Sequence, residues 1–402
     1  MKTRTIAIIG GGPAGATAGE KLARGWGLHR PGCGHRVLVF EERIGWEKPC
    51  GGGLSHKALE RYPFLAEAAS GANLLEEAEL IAATGTAIRF RLRLPLAIYS
   101  RATLNQLLLH RAADAGAEII PDRIVGLERR NSGWEITGLG KTYRADFVVL
   151  AAGARSRLRP AFAEDFRPTD FTLTFGYYLP APCDLLRIQF YEKVEGYAWA
   201  FPRPDHVSVG IGGKVGESKM AAMRARLGTF MEKSGYAPDP AHVFSHLLPS
   251  LSVESWASLR LAGHGWALIG DAGGLVDPVT GEGIYYAMRS GELLAEALLE
   301  DLPEIYPERV RNDFGRGLAL GARLVRMLYH GEFLGGSVTT RMIEFGACSY
   351  KLLDVLQDLI AGSQSYSGLA GRLPISLAHA LMETGVGRVR NALALAHAAQ
   401  GG

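Results

Sequence analysis

The chain is short of the features that would mark it for several large classes of function. It has four cysteines in 402 residues, Cys33, Cys50, Cys183 and Cys348, and no CxxC pair. Thiols this scattered argue against a disulfide scaffold or a zinc ribbon, leave no metal site to expect, and suit a reducing compartment. Net charge is scarce too. With 44 Lys and Arg against 41 Asp and Glu, the formal charge is +3, so no overall field favours nucleic acid or an anionic surface. Charges interrupt every apolar stretch before the roughly 18 residues a membrane-spanning helix needs. At the start, Lys2 and Arg4 lead straight into Ile6 to Ile9 and then glycines, which reads as a buried strand and not as a secretory leader. There is no repeat and no low-complexity tract, and Gly401-Gly402 reads as a frayed end. The expectation is a cytoplasmic protein, with peripheral contact at the inner face of the membrane left open.

What the chain does have is glycine, 51 residues of it, much of it at the ends of apolar runs. Residues 5–9 form a continuous apolar strand, a glycine turn follows, and helical periodicity runs from Ala14 to about Arg24. After a Gly/Pro-rich excursion at 25–34, Val37 to Phe40 reads as a second buried strand, giving a parallel βαβ unit. Residues 101–115 read as a helix with Leu104, Leu107 and Leu108 on one face, and 145–151 and 266–269 as further buried strands. By contrast, residues 84–100 and about 168–215 alternate apolar and polar side chains, the pattern of antiparallel strands. Beyond about 310 the spacing is helical, as at Leu352, Leu356, Leu359 and Ile360. The expected fold is therefore α/β. Segments 1–83, 101–165 and 256–308 build a Rossmann-type domain, 84–100 and 166–255 an interleaved antiparallel-sheet domain, and 309–402 a C-terminal helical region.

The first glycine turn carries chemistry. Gly10, Gly12 and Gly15 match GxGxxG between a strand and a helix, with Pro13 and Ala14 opening the helix. Gly10 permits the tight turn, Gly12 lets backbone approach a pyrophosphate at the helix N-terminus, and Gly15 lets helix and strand pack closely. Glu41 ends the second strand, where a carboxylate accepts both hydroxyls of an unphosphorylated ribose and repels a 2′-phosphate. NADP is a poor fit to this site, whereas NAD and FAD both remain open.

A second motif chooses between them. Gly270-Asp271, then Pro278, Gly281, Gly283 and Ile284 at a turn entering a helix, resembles the second FAD motif of the para-hydroxybenzoate-hydroxylase-like flavoproteins. The resemblance implies non-covalently held FAD, with Asp271 on a ribityl hydroxyl and the backbone near Gly283 and Ile284 facing the flavin, where a helix N-terminus stabilises negative charge. It places Arg101 against the cofactor from its helix start, and Ala152-Gly153 where the family carries Asp-Gly. That departure tells against an NAD(P)H-driven aromatic hydroxylase. Arg43 and Val125 complete the expected cofactor contacts.

Two further stretches, Lys48 to Ser55 and Gly196 to Pro202, resemble the geranylgeranyl reductase family, over about the first 290 residues. Tyr197, Trp199 and Phe201 alternate by two, so they share one strand face and form an aromatic wall, which the resemblance places beside the flavin as a substrate surface. Cys50 precedes Gly51 and Gly52 in a loop whose backbone can approach a flat ring, and relatives carry a cysteine there that positions the alkene or delivers a proton. The implied reaction is reduction of carbon-carbon double bonds in a polyprenyl or other hydrophobic small molecule. NAD(P)H and a ferredoxin-like carrier are equally open as electron donors, and no nucleic-acid partner is expected. Two other readings compete: a flavin monooxygenase or halogenase on the same scaffold, and a non-catalytic prenyl-lipid carrier.

Overall fold

The structure is a computed structural model that describes residues 4–29, 34–67, 71–130, 133–180, 184–369 and 371–383. Cys33, Cys183 and the glycines at 401 and 402 lie outside the described residues, as does the helical expectation for 384–402.

The opening apolar run becomes strand Thr5–Ile9, buried on both faces, the burial expected of a central strand in a parallel sheet. The six-stranded sheet runs Ala262–Gly263, Trp266–Leu268, Phe147–Leu150, Thr5–Ile9, Arg36–Phe40, Glu118–Ile120. Every pairing is parallel except that of the short edge strand Ala262–Gly263. Parallel strands deliver their C-terminal ends to one edge, so the chain leaves the sheet there at Gly10, Glu41, Ala151 and Ile269. Chain order reverses on either side of Thr5–Ile9, which makes this edge the crevice where α/β sheets take ligands.

Helices Pro13–His29, Arg101–Asp114 and Ile284–Leu299 bury one face of the sheet. A small antiparallel sheet, Ile124–Arg130, Gly133–Gly138 and Thr142–Ala145, covers the other, with the tilted rings of Trp134, Phe162 and Trp266 packed between. The first helix continues past the expected end at Arg24 to His29. Gly25, which reads as a break, is a contact: a Cβ there would lie 2.5 Å from Leu299 Cδ1.

The second sheet has eight strands, ordered Val243–Pro249, Phe171–Leu179, Val207–Lys214, Tyr197–Pro202, Leu186–Phe190, Asn73–Ile81, Ala87–Ile98 and Gly53–Leu54. It is antiparallel except where Leu186–Phe190 runs parallel to Asn73–Ile81. Two boundaries need correcting. Gly53–Leu54 and Asn73–Ile81 belong to this sheet, although the segment 1–83 was expected to lie wholly in the first domain, and Ile124–Ala145 makes a small sheet of its own inside 101–165.

Helix Met220–Lys233 packs on one face of the large sheet. The other face is covered by helices Arg316–His330, Val338–Gly346 and Tyr350–Ala361 and by helical residues 366–369 and 371–383. Among the described residues no helix is long and apolar enough to cross a membrane.

Candidate active site

At the crevice edge the glycines divide into those that pack and those that leave room. Gly10 has φ +107°, and a Cβ there would sit 2.5 Å from the Ala151 carbonyl oxygen. A Cβ at Gly15 would come within 1.9 Å of the Gly10 carbonyl oxygen, so turn and helix touch through bare backbone. Gly12 and Gly153 face open space: a Cβ on either would meet no atom within 4 Å. Glu41 is fixed beside this opening, its Oε2 accepting from the Gly11 N–H (2.9 Å) and its Oε1 from the Arg43 N–H (2.9 Å). Arg43 thus joins the cradle through its backbone, while its guanidinium lies 3.8 Å over the Trp46 ring. Pro13 and Ala14 open the helix, and Ala152 and Gly153 follow strand Phe147–Leu150. Val125 stands on the small sheet and is 49% exposed.

The second motif, about 260 residues downstream, lands on the first. Gly270 packs against the first helix so closely that a Cβ would lie 2.8 Å from Ala14 Cβ. Beside it Asp271 accepts a hydrogen bond from Lys48 Nζ at 2.9 Å. Burial opposes ionisation of Asp271, but Lys48, with help from Arg101, outweighs it and holds the carboxyl below its usual range. Arg101 is buried, and its Nε has no hydrogen-bond partner among the described residues. His246 is held neutral: burial first, then the Lys48 charge, push its pKa down to about 4.

Sequence reasoning assigned no role to Lys48 or His246. Lys48 lies in a stretch that was singled out; His246 sits in the alternation of strand Val243–Pro249 with nothing local to mark it.

Arg101 is placed by a carboxylate from a distant loop. Helix Arg101–Asp114 has no side-chain cap of its own at Ser100. Glu47 fills that role, accepting from the Arg101 N–H (2.9 Å), the Ala102 N–H (3.0 Å) and Ser100 Oγ (2.5 Å), with Arg203 Nη1 at 2.6 Å. Burial works against the charge on Glu47, and Arg203 with these donors prevails, keeping its carboxyl below the usual range. The same Arg203 donates to the Cys50 carbonyl at 2.6 Å, so one buried guanidinium ties the cysteine loop to the Arg101 helix.

That loop forms one wall of a cavity of about 830 Å³. The turn from Pro278 to Ile284, the Tyr197–Pro202 strand and residues of the C-terminal helices such as Tyr329, Met342 and Leu356 form the others. Tyr197, Trp199 and Phe201 all face it, with successive ring centroids 6.3 and 6.4 Å apart. Gly210 on the neighbouring strand lets the Trp199 ring lie flat, since a Cβ there would meet it at 2.4 Å.

Gly51 and Gly52 have a packing reason within the protein. A Cβ at Gly51 would lie 2.6 Å from the Phe201 ring, and one at Gly52, where φ is +86°, would lie 2.1 Å from the Tyr99 carbonyl oxygen. Cys50 lines the cavity, and its Sγ accepts from the Gly52 N–H at 3.3 Å.

The turn opposite is held rigid. Asp277 accepts from the N–H groups of Val279 (2.9 Å) and Thr280 (3.2 Å) and from the Tyr366 hydroxyl (2.6 Å). Tyr197 donates to the Thr280 carbonyl at 2.5 Å. Gly281 adopts φ +72°, and Gly283 stands immediately before helix Ile284–Leu299. Glu195, which lines the cavity, the exposed Glu217 and the half-buried His330 bring ligand-type atoms within 4.8 Å of one another, with Lys214 Nζ 3.5 Å from Glu195 as counter-charge.

A model of the FAD dependent oxidoreductase family matches residues 51–297, more than half of the chain. The chain belongs to that family. This oxidoreductase is 26% identical to the geranylgeranyl diphosphate reductase of Synechocystis sp. over 73% of its own length and 75% of that protein's. It is 27% identical to a menaquinone reductase of Mycobacterium tuberculosis over 84% and 87%. Among solved structures, a geranylgeranyl bacteriochlorophyll reductase-like protein from Thermoplasma acidophilum superposes with a TM-score of 0.74 at 20% identity, covering 92% of this chain and all of that one. A flavin-dependent brominase superposes at 0.69 and 18% identity over 90% and 94%, a likeness of fold alone. The oxidoreductase uses FAD, and its residues fit the cofactor. The open backbone at Gly12 and Gly153, the fixed Glu41 carboxylate and the unpartnered Arg101 Nε all surround the same crevice.

Proposed function

We propose that this oxidoreductase is a reductase that saturates carbon-carbon double bonds in a polyprenyl chain. The observation that carries the proposal is the continuity of one space. The flavin-facing turn, the Cys50 loop and the aromatic strand are three walls of the same largely apolar cavity. In this reading Gly10 to Gly15 and Glu41 hold the adenosine and pyrophosphate end of the cofactor, with Arg43, Val125 and Ala152-Gly153 around it. Arg101, Asp271 and the Pro278 to Ile284 turn hold the flavin end. When bound, reduced FAD supplies a hydride to one alkene carbon, and the neighbouring carbon takes a proton.

The protein's own part is to place the chain. Tyr197, Trp199 and Phe201 offer flat apolar surface, worth about 25 cal/mol per Å² removed from water, and the C-terminal helices close the space around it. Cys50, whose carbonyl accepts from Arg203 and Ser208 and whose sulfur accepts from the Gly52 N–H, keeps its S–H proton available to position the alkene or to be delivered to it.

The direct test is mass spectrometry of lipid extracted from the purified protein before and after dithionite reduction. The expected result is a gain of two hydrogens per double bond. A substrate that instead gains oxygen or halogen, with oxygen consumed, would establish the monooxygenase or halogenase chemistry. Protein that purifies colourless and still holds prenyl lipid would establish a carrier.

A further inference from the structure

A prenyl chain arrives attached to a head group, and the charged lining of the cavity bears on which kind. This step rests on reading the cavity as a prenyl-chain site. Among the described residues four carboxylates line it, Glu195, Asp277, Glu282 and Asp313, against two cations, Lys57 and Arg316. His246 also lines it and is neutral above about pH 4.

Lys57 is committed: its Nζ lies 2.6 Å from Glu282 Oε2 and donates to the Tyr286 hydroxyl at 2.9 Å. Asp313 is held by Arg289 at 2.5 Å, and Lys214 beside Glu195 is engaged by Ser250 as well. Burial pushes the carboxyls of Glu195 and Asp277 up, and among the described residues the inner wall offers no cation that is not already paired. Arg316 is exposed, at the mouth, one turn beyond Asp313. The remaining exposed lining there includes the hydroxyls of Ser363, Ser365 and Ser367.

Phosphate groups are bound by convergent Arg and Lys donors, and an anion drawn from water without them loses more hydration than it recovers. We infer that the lipid taken by this cavity carries a neutral hydrogen-bonding head, an alcohol, ether or quinone, seated at the serine-lined mouth, and that a prenyl diphosphate is a poor ligand.

The test uses FAD-loaded protein and two probes with the same chain, geranylgeraniol and geranylgeranyl diphosphate. Binding is followed by quenching of tryptophan fluorescence and by perturbation of the flavin absorbance. The alcohol is expected to bind about tenfold or more tightly, the difference shrinking as salt screens the acidic lining. The double variant Ser363→Lys, Ser367→Lys, which removes two of the hydroxyls that seat the alcohol, is expected to raise diphosphate affinity by about tenfold and to abolish the preference for the alcohol. Diphosphate binding as tightly as alcohol to the unaltered protein, or indifference of the folded double variant, overturns the head-group inference while the prenyl site stands. If neither probe binds, the prenyl reading itself falls and takes this inference with it. Should the double variant fail to fold, the comparison of the two probes across salt concentration decides alone.

Discussion

Two alanine substitutions three residues apart are expected to fail in opposite ways. Gly12 faces open space, so the methyl of Gly12→Ala touches nothing in the protein, and the apoprotein should keep its stability within about 0.5 kcal/mol. The methyl occupies the place assigned to the pyrophosphate. Overpacking of that kind costs about 1–3 kcal/mol, and at 1.4 kcal/mol per decade FAD affinity should fall between about fivefold and 150-fold. In Gly15→Ala the new Cβ lies 1.9 Å from the Gly10 carbonyl oxygen and 3.1 Å from Ile8 Cγ2. Backbone has to move, and the apoprotein itself should lose about 3 kcal/mol or more. Chemical denaturation of each apoprotein, with FAD titration followed by flavin fluorescence, separates the two effects. A folded Gly12→Ala protein that binds FAD as tightly as the unaltered chain would refute the placement of the cofactor.

Other consequences follow from single contacts. Burial opposes ionisation of Glu292, but Lys21, Arg289 and Tyr62 hold its pKa at about 2, against an ordinary 4.5. A carboxyl lowered on folding stabilises above its unfolded value, so about 3 kcal/mol should be lost as the pH falls from about 4.5 to about 2. In Glu292→Gln that acid-side slope should flatten, with about 3–5 kcal/mol lost at neutral pH from unpairing its cations; denaturant midpoints against pH read both. Gly210→Ala should tilt the Trp199 ring into the cavity, costing about 1–3 kcal/mol of stability and weakening lipid binding more than FAD binding in parallel titrations. Cys50→Ala should leave FAD affinity within about twofold, because the Cys50 carbonyl and not its sulfur makes the loop's bonds to Arg203 and Ser208, and should slow flavin-linked reduction by about 100-fold or more. Unchanged turnover would remove the thiol from the mechanism.

What was legible in the sequence was local. The Gly10 to Gly15 turn announces itself because one apolar run, three glycines and a helix start stand side by side, and the Gly270 to Ile284 stretch does so for the same reason. Strand Asn73–Ile81 escaped because its pairing with Ala87–Ile98 shifts register between Leu75 and Glu77, and such an irregularity spoils the strict alternation that marks a strand. Helix Pro13–His29 seemed to end early because Gly25 serves a contact with Leu299 that only the fold creates. Lys48 meets Asp271 across 223 residues and Arg203 meets Glu47 across 156, so neither pair has a neighbour in sequence to betray it. The cap on the Arg101 helix is illegible on the same ground, since it comes from Glu47 and not from Ser100.

The central claim is that hydride leaves the flavin for an alkene held in the 830 Å³ cavity. It is tested most directly by reducing the FAD-loaded protein with dithionite under nitrogen, adding a prenyl alcohol, and following the flavin absorbance with oxygen still excluded. Return of the oxidised spectrum, with one double bond saturated per flavin reoxidised, is the predicted result. A flavin that stays reduced with the lipid bound, and recovers its colour only when air is admitted, would contradict it.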